Sequence, residues 1–528
     1  MVLAPAIVAK VRAVREFAAR RVDAIGVALA IAYGLPSLAY PFGRDQAIFF
    51  YVGREWAAGR LPYRDAFDVK PPGIYAVYAL SGWVFGMRQW SIRLTELLAV
   101  LAMGWCAARA VRRDGPSRPG EVGAAILLTA GWHYTCFDYW DTGQAEFWEG
   151  LFVLAGYTAA VCSRDWRRAA LWSGLLGSIA LLFKSPAALL VPVAACVVVA
   201  RAVREGEASL GARARRTLAS VALQAAAAAV PAAIVIVYFA ARGGLHALGE
   251  LAGYTMYYVR HKVTTGAVGR AWAATFWREH VGVWVVLLAA LWVAGVVFAL
   301  RRRDRRQLLS AAIAIGLSLL AVLNVVAQKK FWPYHWGIVT PFLVLSACHG
   351  IRELAARAPR WPMAAVTLAI VIGLVFAPKW YVNPNATYRS TTTSFWRYVR
   401  GREGRWTYLQ QFTGPFSYNY ANQEVVGDLI GDSARPGDHL QVHGFEPAIY
   451  AVSRLASPSR FASEAPLRDP TLDYHRTTWL AEHDRVLREQ PPRFLVTFGD
   501  SPRDVGVLAA RGYRPVGQFA NFVWYRRN

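Results

Sequence analysis

Apolar stretches close to twenty residues long recur along this chain, and short arginine-dense runs separate many of them. "DAIGVALAIAYGLPSLAYPF" (23–42) and "VGVWVVLLAALWVAGVVFAL" (281–300) are two examples. A helix needs about 20 apolar residues to cross the hydrocarbon core. Within lipid every backbone polar group must also be satisfied by the chain itself. Membrane-spanning helices are therefore the structure open to most of this sequence. Composition agrees, with 55% hydrophobic residues and a positive mean hydropathy. The expected architecture is mainly α and polytopic.

A net charge of +25 raises the question of nucleic acid, and the placement of the cations answers it. They gather in "KVRAVREFAARR", "RAVRRDGPSR", "SRDWRR", "RAVREGEASLGARARR", "RRRDRR" and "IRELAARAPR". Loops enriched in Lys and Arg mark the cytoplasmic side of membrane proteins, so this charge reports topology. No nucleic-acid-binding motif is present, and nucleic acid is not an expected partner. Cys106, Cys136, Cys162, Cys196 and Cys348 lie within or at the ends of apolar segments. That placement suggests neither a disulfide framework nor a thiolate metal site. The basic start leading into 23–42 reads as an uncleaved signal anchor with a cytoplasmic N-terminus.

With the basic runs inside, the path of the chain follows. A first span at about 23–42 goes out to a long outside loop, and a second at about 90–111 returns. Further spans are expected near 121–137, 146–162, 168–183, 186–201, 217–241, 281–300, 308–327, 336–350 and 361–378. A second long outside loop covers roughly 242–280. Counting "PPGIYAVYALSGWVFG" as a span would put "RAVRR" outside, so it is read as an interfacial or re-entrant helix starting at Pro71 and Pro72. This gives a membrane domain over 1–378 and an extracytoplasmic C-terminal domain over 379–528. In the latter, "HLQVHG" and "FLVTFG" read as strands, "DYHRTTWLAEHDRVLREQ" as a helix and "GYRPVGQFANFVWYRR" as a terminal strand pair. A small α/β domain fits.

The topology puts the unusual polar groups on one side. Asp45, Asp65, Asp68 and Lys70 fall in the first outside loop, and Asp138, Asp141 and Glu146 in the next. Lys184, Lys329, Lys330 and His335 fall in later ones. Charge near the hydrocarbon boundary is costly and marks a pathway or a site. Each group also has a plainer reading. Asp45 is placed to cap the helix on which Phe49, Val52 and Trp56 share a face. Asp141 and Glu146 have the alternative of solvated loop acids, and for Asp138 that is the preferred reading. Lys329 and Lys330 have the option of snorkelling to headgroups. Tyr254, Tyr257 and Tyr258 suit an interfacial aromatic belt or a sugar platform.

From Asp45 to about Val199 the chain resembles the integral-membrane GT-C glycosyltransferases. The branch it resembles most holds the dolichyl-phosphate-mannose protein mannosyltransferases and the bacterial lipid-linked aminoarabinose transferases. An ordered set carries the likeness: Asp45, "GRLPYRDAFDVKPPGIY", "SIRL", "TGQAEFWEGLFVLAGY" and "LLFKSPAALLVP". "QKKFWPYHWGIVTPFLVL" resembles the late outside turn of such enzymes. The resemblance implies a GT-C membrane domain, to which the spans counted above give about 11 transmembrane helices. It also implies inverting transfer of a monosaccharide from a polyprenyl-phosphate donor. The acceptor is a lipid, glycan or protein outside the cytoplasm.

On that resemblance Asp45 is the general base for the acceptor hydroxyl. Lys70 is the preferred group for the donor phosphate, with Lys329, Lys330 and His335 as further candidates. Asp68, Asp141 and Glu146 are candidates for the acceptor or a metal. The family leaves metal use open, so the cofactor is either none or a divalent ion. Oxygen ligands from Asp45 and Asp141 suit Mg²⁺ or Mn²⁺. One departure stands out: the aminoarabinose enzymes carry Glu before the loop lysine, where this chain has Val69, with Asp68 one position earlier. An amino-sugar donor is correspondingly less supported. The Ala- and Arg-rich composition points to a bacterial inner membrane with the site toward the periplasm.

Two other classes compete. A transporter or lipid flippase would explain the helices, but no internal repeat is evident and the acids gather in loops rather than mid-span. A cell-wall binding module on a membrane anchor would explain the tail, but not the size and polar loops of the helical part. The glycosyltransferase reading requires the scattered carboxylates and ammonium groups to converge in one cavity at the outer leaflet.

Overall fold

The computed structural model describes residues 21–112, 118–205, 209–261, 267–357, 388–415, 417–468, 473–499 and 508–527. The expected span at 361–378 and the partition at 378/379 lie outside the described residues. The chain is mainly helical, with a small sheet near its C-terminal end. Helix α1 (Arg21–Ala39) precedes α2 (Arg44–Ala57) and α3 (Pro72–Phe85) of the first loop. Then come α4 (Gln89–Arg112), α5 (Glu121–Cys136), α6 (Ala145–Cys162), α7 (Trp166–Leu181), α8 (Val191–Arg204) and α9 (Leu210–Ala241). The second long loop holds α10 (Leu245–His261) and α11 (Ala267–Thr275). Helices α12 (Gly282–Arg301), α13 (Arg305–Gln328) and α14 (Thr340–Arg357) follow.

Each expected span that falls within the described residues corresponds to a helix. Among the described residues, α1, α4, Ser185–Arg204, α9 and α13 are long and apolar enough to cross a membrane by length and composition. The helix starts are set by local chemistry. Asp165 accepts the N–H of Arg168 at the start of α7, and Asp304 accepts those of Arg306 and Gln307 at the start of α13. Pro72 opens α3, where its missing N–H costs nothing.

The chain divides into two compact units, each discontinuous in sequence. One comprises residues up to 38, 93–233 and 265–392; the other comprises 39–92, 234–264 and 393–528. In the first, α12 packs closely on α14 because Gly295 stands against His349: a Cβ there would sit 2.7 Å from the His349 Cβ. The second unit draws on residues from both sides of the sequence partition. Here α2 lies on α3, and a Cβ at Gly53 would meet the Tyr78 Cβ at 2.9 Å. Helix α3 exposes Leu80, Trp83 and Val84.

The tail closes over the first loop. Arg54 donates to the carbonyls of Tyr450 (2.9 Å) and Leu455 (2.7 Å), and Tyr51 Oη accepts from Ser457 N at 3.0 Å. Arg44 pairs with Glu446, which Gln423 also reaches. A four-stranded sheet runs β3–β4–β6–β5, after a short ladder of β1 (Thr413–Gly414) and β2 (Tyr418–Asn419). Strand β3 (Leu440–Val442) is parallel to β4 (Phe494–Phe498). The antiparallel pair β5 (Tyr513–Phe519) and β6 (Phe522–Arg527) completes it.

Candidate functional site

Helix α2 begins at Gly43 without a side-chain cap, so Asp45 stands in its first turn and is not the cap its position suggested. A carboxylate there suits the positive end of the helix. The loop leading to Pro71 is wound around two buried tyrosines. Tyr63 Oη donates to the Lys70 carbonyl (2.9 Å), Tyr75 Oη donates to Asp68 Oδ2 (2.7 Å), and Lys70 N donates to Tyr75 Oη (3.0 Å). Burial pushes the Asp68 carboxyl up to about 6; Asp45 nearby adds to the rise, while Tyr75, the Val69 N–H and Lys70 oppose it. Asp45, Asp68 and Lys70 thus share one electrostatic neighbourhood. Asp65 is bound up in the loop instead. Although burial opposes it, hydrogen bonds from Arg64 and the Leu61 N–H hold its carboxyl below the usual range.

In the other unit the turn between α5 and α6 carries Asp138 and Asp141. Asp138, read from sequence as a solvated loop acid, is instead buried. Its Oδ1 accepts the N–H groups of Trp140 (2.5 Å) and Asp141 (3.1 Å), closing the turn on itself. Burial, with Asp141 close by, pushes its carboxyl well above the ordinary range. Helix α4 holds the same turn from its own side. Arg93 donates to Thr142 Oγ1 (2.6 Å) and the Tyr139 carbonyl (3.0 Å), and Glu96 accepts from Gly143 N (2.7 Å). The alternative of solvation also fails for Asp141 and Glu146, which are both buried.

Glu146 anchors a polar network at the start of α6. Lys184 Nζ lies 2.6 Å from its Oε1 and 2.6 Å from Gln328 Oε1. His335 Nε2 lies 3.4 Å from the same Glu146 oxygen, and its Nδ1 meets the Lys330 carbonyl. Gln328 donates to Asn324 Oδ1 (2.6 Å), which in turn donates through Nδ2 to Glu149 Oε1 (3.0 Å). Two charged groups this deep are tolerable because they are paired and hydrogen-bonded. Lys329 terminates α13 in a left-handed conformation (φ 54°).

Of the residues expected from sequence, Asp45, Asp68 and Lys70 fall together in one unit. Asp141, Glu146, Lys184, Lys329, Lys330 and His335 belong to the other. Arg93, Glu96, Glu149, Asn324 and Gln328 were not anticipated. A signal existed for some: Glu149 follows Glu146 by one helical turn, and Asn324 and Gln328 are spaced i, i+4 on an apolar helix. Tyr254 lies against Tyr258, Phe67, Tyr474 and Trp479, and Tyr257 Oη accepts from Asp473 N (3.3 Å), so these rings serve packing within their unit. Among the described residues, no group of three or more His, Cys, Asp or Glu side chains is arranged to hold a metal ion.

Comparison with known proteins bears on this arrangement. Residues 69–223 match the family model of the dolichyl-phosphate-mannose-protein mannosyltransferases. The structure aligns with that of ArnT from Cupriavidus metallidurans in the apo state, with a TM-score of 0.58 at 16% identity, over 95% of this chain and 97% of that one. The fold is that of the GT-C glycosyltransferases. ArnT from the same organism bound to undecaprenyl phosphate aligns over the same shares of each chain, with a TM-score of 0.57 at 18% identity. No curated protein sequence matches the chain. Five helices long and apolar enough to cross a membrane, among the described residues, suit a multi-pass membrane protein. The matched segment contains Lys70, Asp141, Glu146 and Lys184, with Asp68 directly before it.

Proposed function

We propose that this protein is a glycosyltransferase that moves a monosaccharide from a polyprenyl-phosphate donor to an acceptor hydroxyl outside the cytoplasm, inverting the anomeric carbon. The observation that supports this most is the grouping of Asp45, Asp68 and Lys70 on one loop of a GT-C fold. The ArnT structure with undecaprenyl phosphate adds support for a polyprenyl-linked carrier.

In this reading Asp45 takes the proton of the acceptor hydroxyl as its oxygen bonds to the anomeric carbon. The bond from that carbon to the phosphate oxygen breaks, and polyprenyl phosphate departs. A phosphate is already acidic, so it needs positive charge more than a proton. Lys70 supplies that charge. Asp68 keeps Lys70 company through Tyr75 and sets the local field. In the other unit Glu146 already carries Lys184, which suits a positioning role.

The test is to incubate purified protein in detergent with a panel of labelled polyprenyl-phosphate sugars, and to measure release of polyprenyl phosphate. Wild type is expected to consume one of them. Asp45→Asn, which preserves shape and removes the base, is expected to lower turnover by about 100-fold or more with an unchanged melting midpoint. Normal turnover by a folded Asp45→Asn variant would remove the base from the scheme.

A further inference from the structure

Four helix ends gather around an arginine-rich groove in the first unit. Helix α6 ends at Cys162 and α8 at Arg204, while α7 begins at Trp166 and α9 at Leu210. Arg201 ties them together by donating to the carbonyls of Ala160 (2.9 Å) and Ser163 (2.9 Å), the unsatisfied acceptors at the end of α6. Helices α7 and α9 come into contact at Gly174, where a Cβ would meet the Ala227 Cβ at 3.1 Å. Toward their N-termini they flank a groove of about 440 Å³ lined by Trp166, Arg167, Arg215, Arg216, Ala219 and Leu223. A second space of about 440 Å³ adjoins it, sharing Trp166, Arg167 and Arg216.

The lining changes along α9. Three arginines and an indole lie toward the helix N-termini, and Ala219 and Leu223 follow one and two turns further along α9. The local carboxylates are already engaged: Asp165 caps α7, and Glu205 accepts from Trp166 N (3.1 Å) and pairs with Arg201 (3.0 Å). Arg216 donates to the Glu205 carbonyl. Arg167 and Arg215 make no ion pair among the described residues, and both are exposed. Arg167 over the Trp166 ring (5.5 Å), with Arg215 and Arg216 in the same lining and apolar side chains further along the helix, matches a phospholipid at the membrane–water boundary: phosphate outermost, acyl chain along the helix.

We propose that this groove is a binding site for the phosphate headgroup of an anionic glycerophospholipid. It lies on the face that the basic runs assign to the cytoplasm, so it is separate from the residues given to glycosyl transfer and does not rest on that reading. Arg167 and Arg215 contact the phosphate, Trp166 sits at headgroup level, and Ala219 and Leu223 receive the first part of an acyl chain.

The full chain in nanodiscs containing phosphatidylglycerol and phosphatidylcholine in equal parts, released for native mass spectrometry, tests this. Wild type is expected to retain phosphatidylglycerol in preference to phosphatidylcholine. The double variant Arg167→Gln/Arg215→Gln is expected to lose that preference by about tenfold or more. A control of equal charge, Arg301→Gln/Arg303→Gln, is expected to keep it. Ala219→Phe, which fills the groove and leaves both arginines, provides a second variant and is expected to behave like the double one. Unchanged retention in both groove variants, equal retention of phosphatidylcholine by wild type, or displacement of phosphatidylglycerol by inorganic phosphate alone would overturn the proposal.

Discussion

Asp68 shows how much one carboxyl can report. Its ordinary value of 3.8 is pushed up to about 6 by burial beside Asp45. A shifted group acts on stability as well as on chemistry. The sign is fixed by the direction: the fold favours the protonated form, so the stability tied to it is complete below about 4 and is lost as pH rises through 6. At about 1.4 kcal/mol per unit, ionising Asp68 costs roughly 3 kcal/mol at most. Asp68→Asn keeps the acceptor for Tyr75 Oη and removes the ionisation. It is therefore expected to melt higher than wild type at pH 8 and equally at pH 4, in thermal scans of the purified protein in detergent. A variant less stable at both pH values would show that the charged form is the one the loop needs.

At the scale of elements, the helices and the sheet were legible and most of what joins them was not. The helical spacing of "DYHRTTWLAEHDRVLREQ" found Arg476–Glu489, because an amphipathic helix writes its buried face into the sequence, and the short β-rich run "FLVTFG" found β4, which is buried on both faces. No period reveals that Arg460 will join four segments. It pairs with Glu250 of α10 (2.8 Å) and Glu482 (2.8 Å), donates to the Tyr63 carbonyl (3.2 Å) and lies over the Phe461 ring. Its own carbonyl accepts from Phe67 N (2.7 Å). Arg460→Met keeps the length and removes the charge, leaving Glu250 and Glu482 without their shared partner. A destabilisation of about 3 kcal/mol is expected, read as a lower melting midpoint. Burial works against the Glu250 charge, but Arg460 and Trp479 hold its carboxyl below the ordinary range. The stability it lends is thus present above about 4.5 and lost in acid, so the gap between variant and wild type should narrow as pH falls. A gap constant with pH would assign the loss to packing alone.

For the whole molecule, hydropathy divides the sequence into a membrane part and a tail. Hydropathy reports which residues lipid surrounds and says nothing of which polar loop a tail will grip. The compact unit containing the tail also contains residues 39–92 and 234–264. Arg44 to Glu446, Arg54 to Tyr450 and Tyr51 to Ser457 are bonds between positions some four hundred residues apart. Such distant pairs leave no trace in local pattern, and the position of Asp45 depends on them. Arg44, its neighbour, is buried with Glu446, whose carboxyl burial pushes up to about 7 against the pull of that same arginine. Removing residues 393–528 consequently strips α2 of its partners and does more than delete an acceptor module. Limited proteolysis is expected to cut the truncated protein within 44–70 faster than the full chain, and both donor binding and transfer are expected to fall together. Had the tail served the acceptor alone, donor binding would survive and 44–70 would be cut no faster than in the full chain. That outcome would separate the first loop from the tail and free Asp45 from any dependence on it.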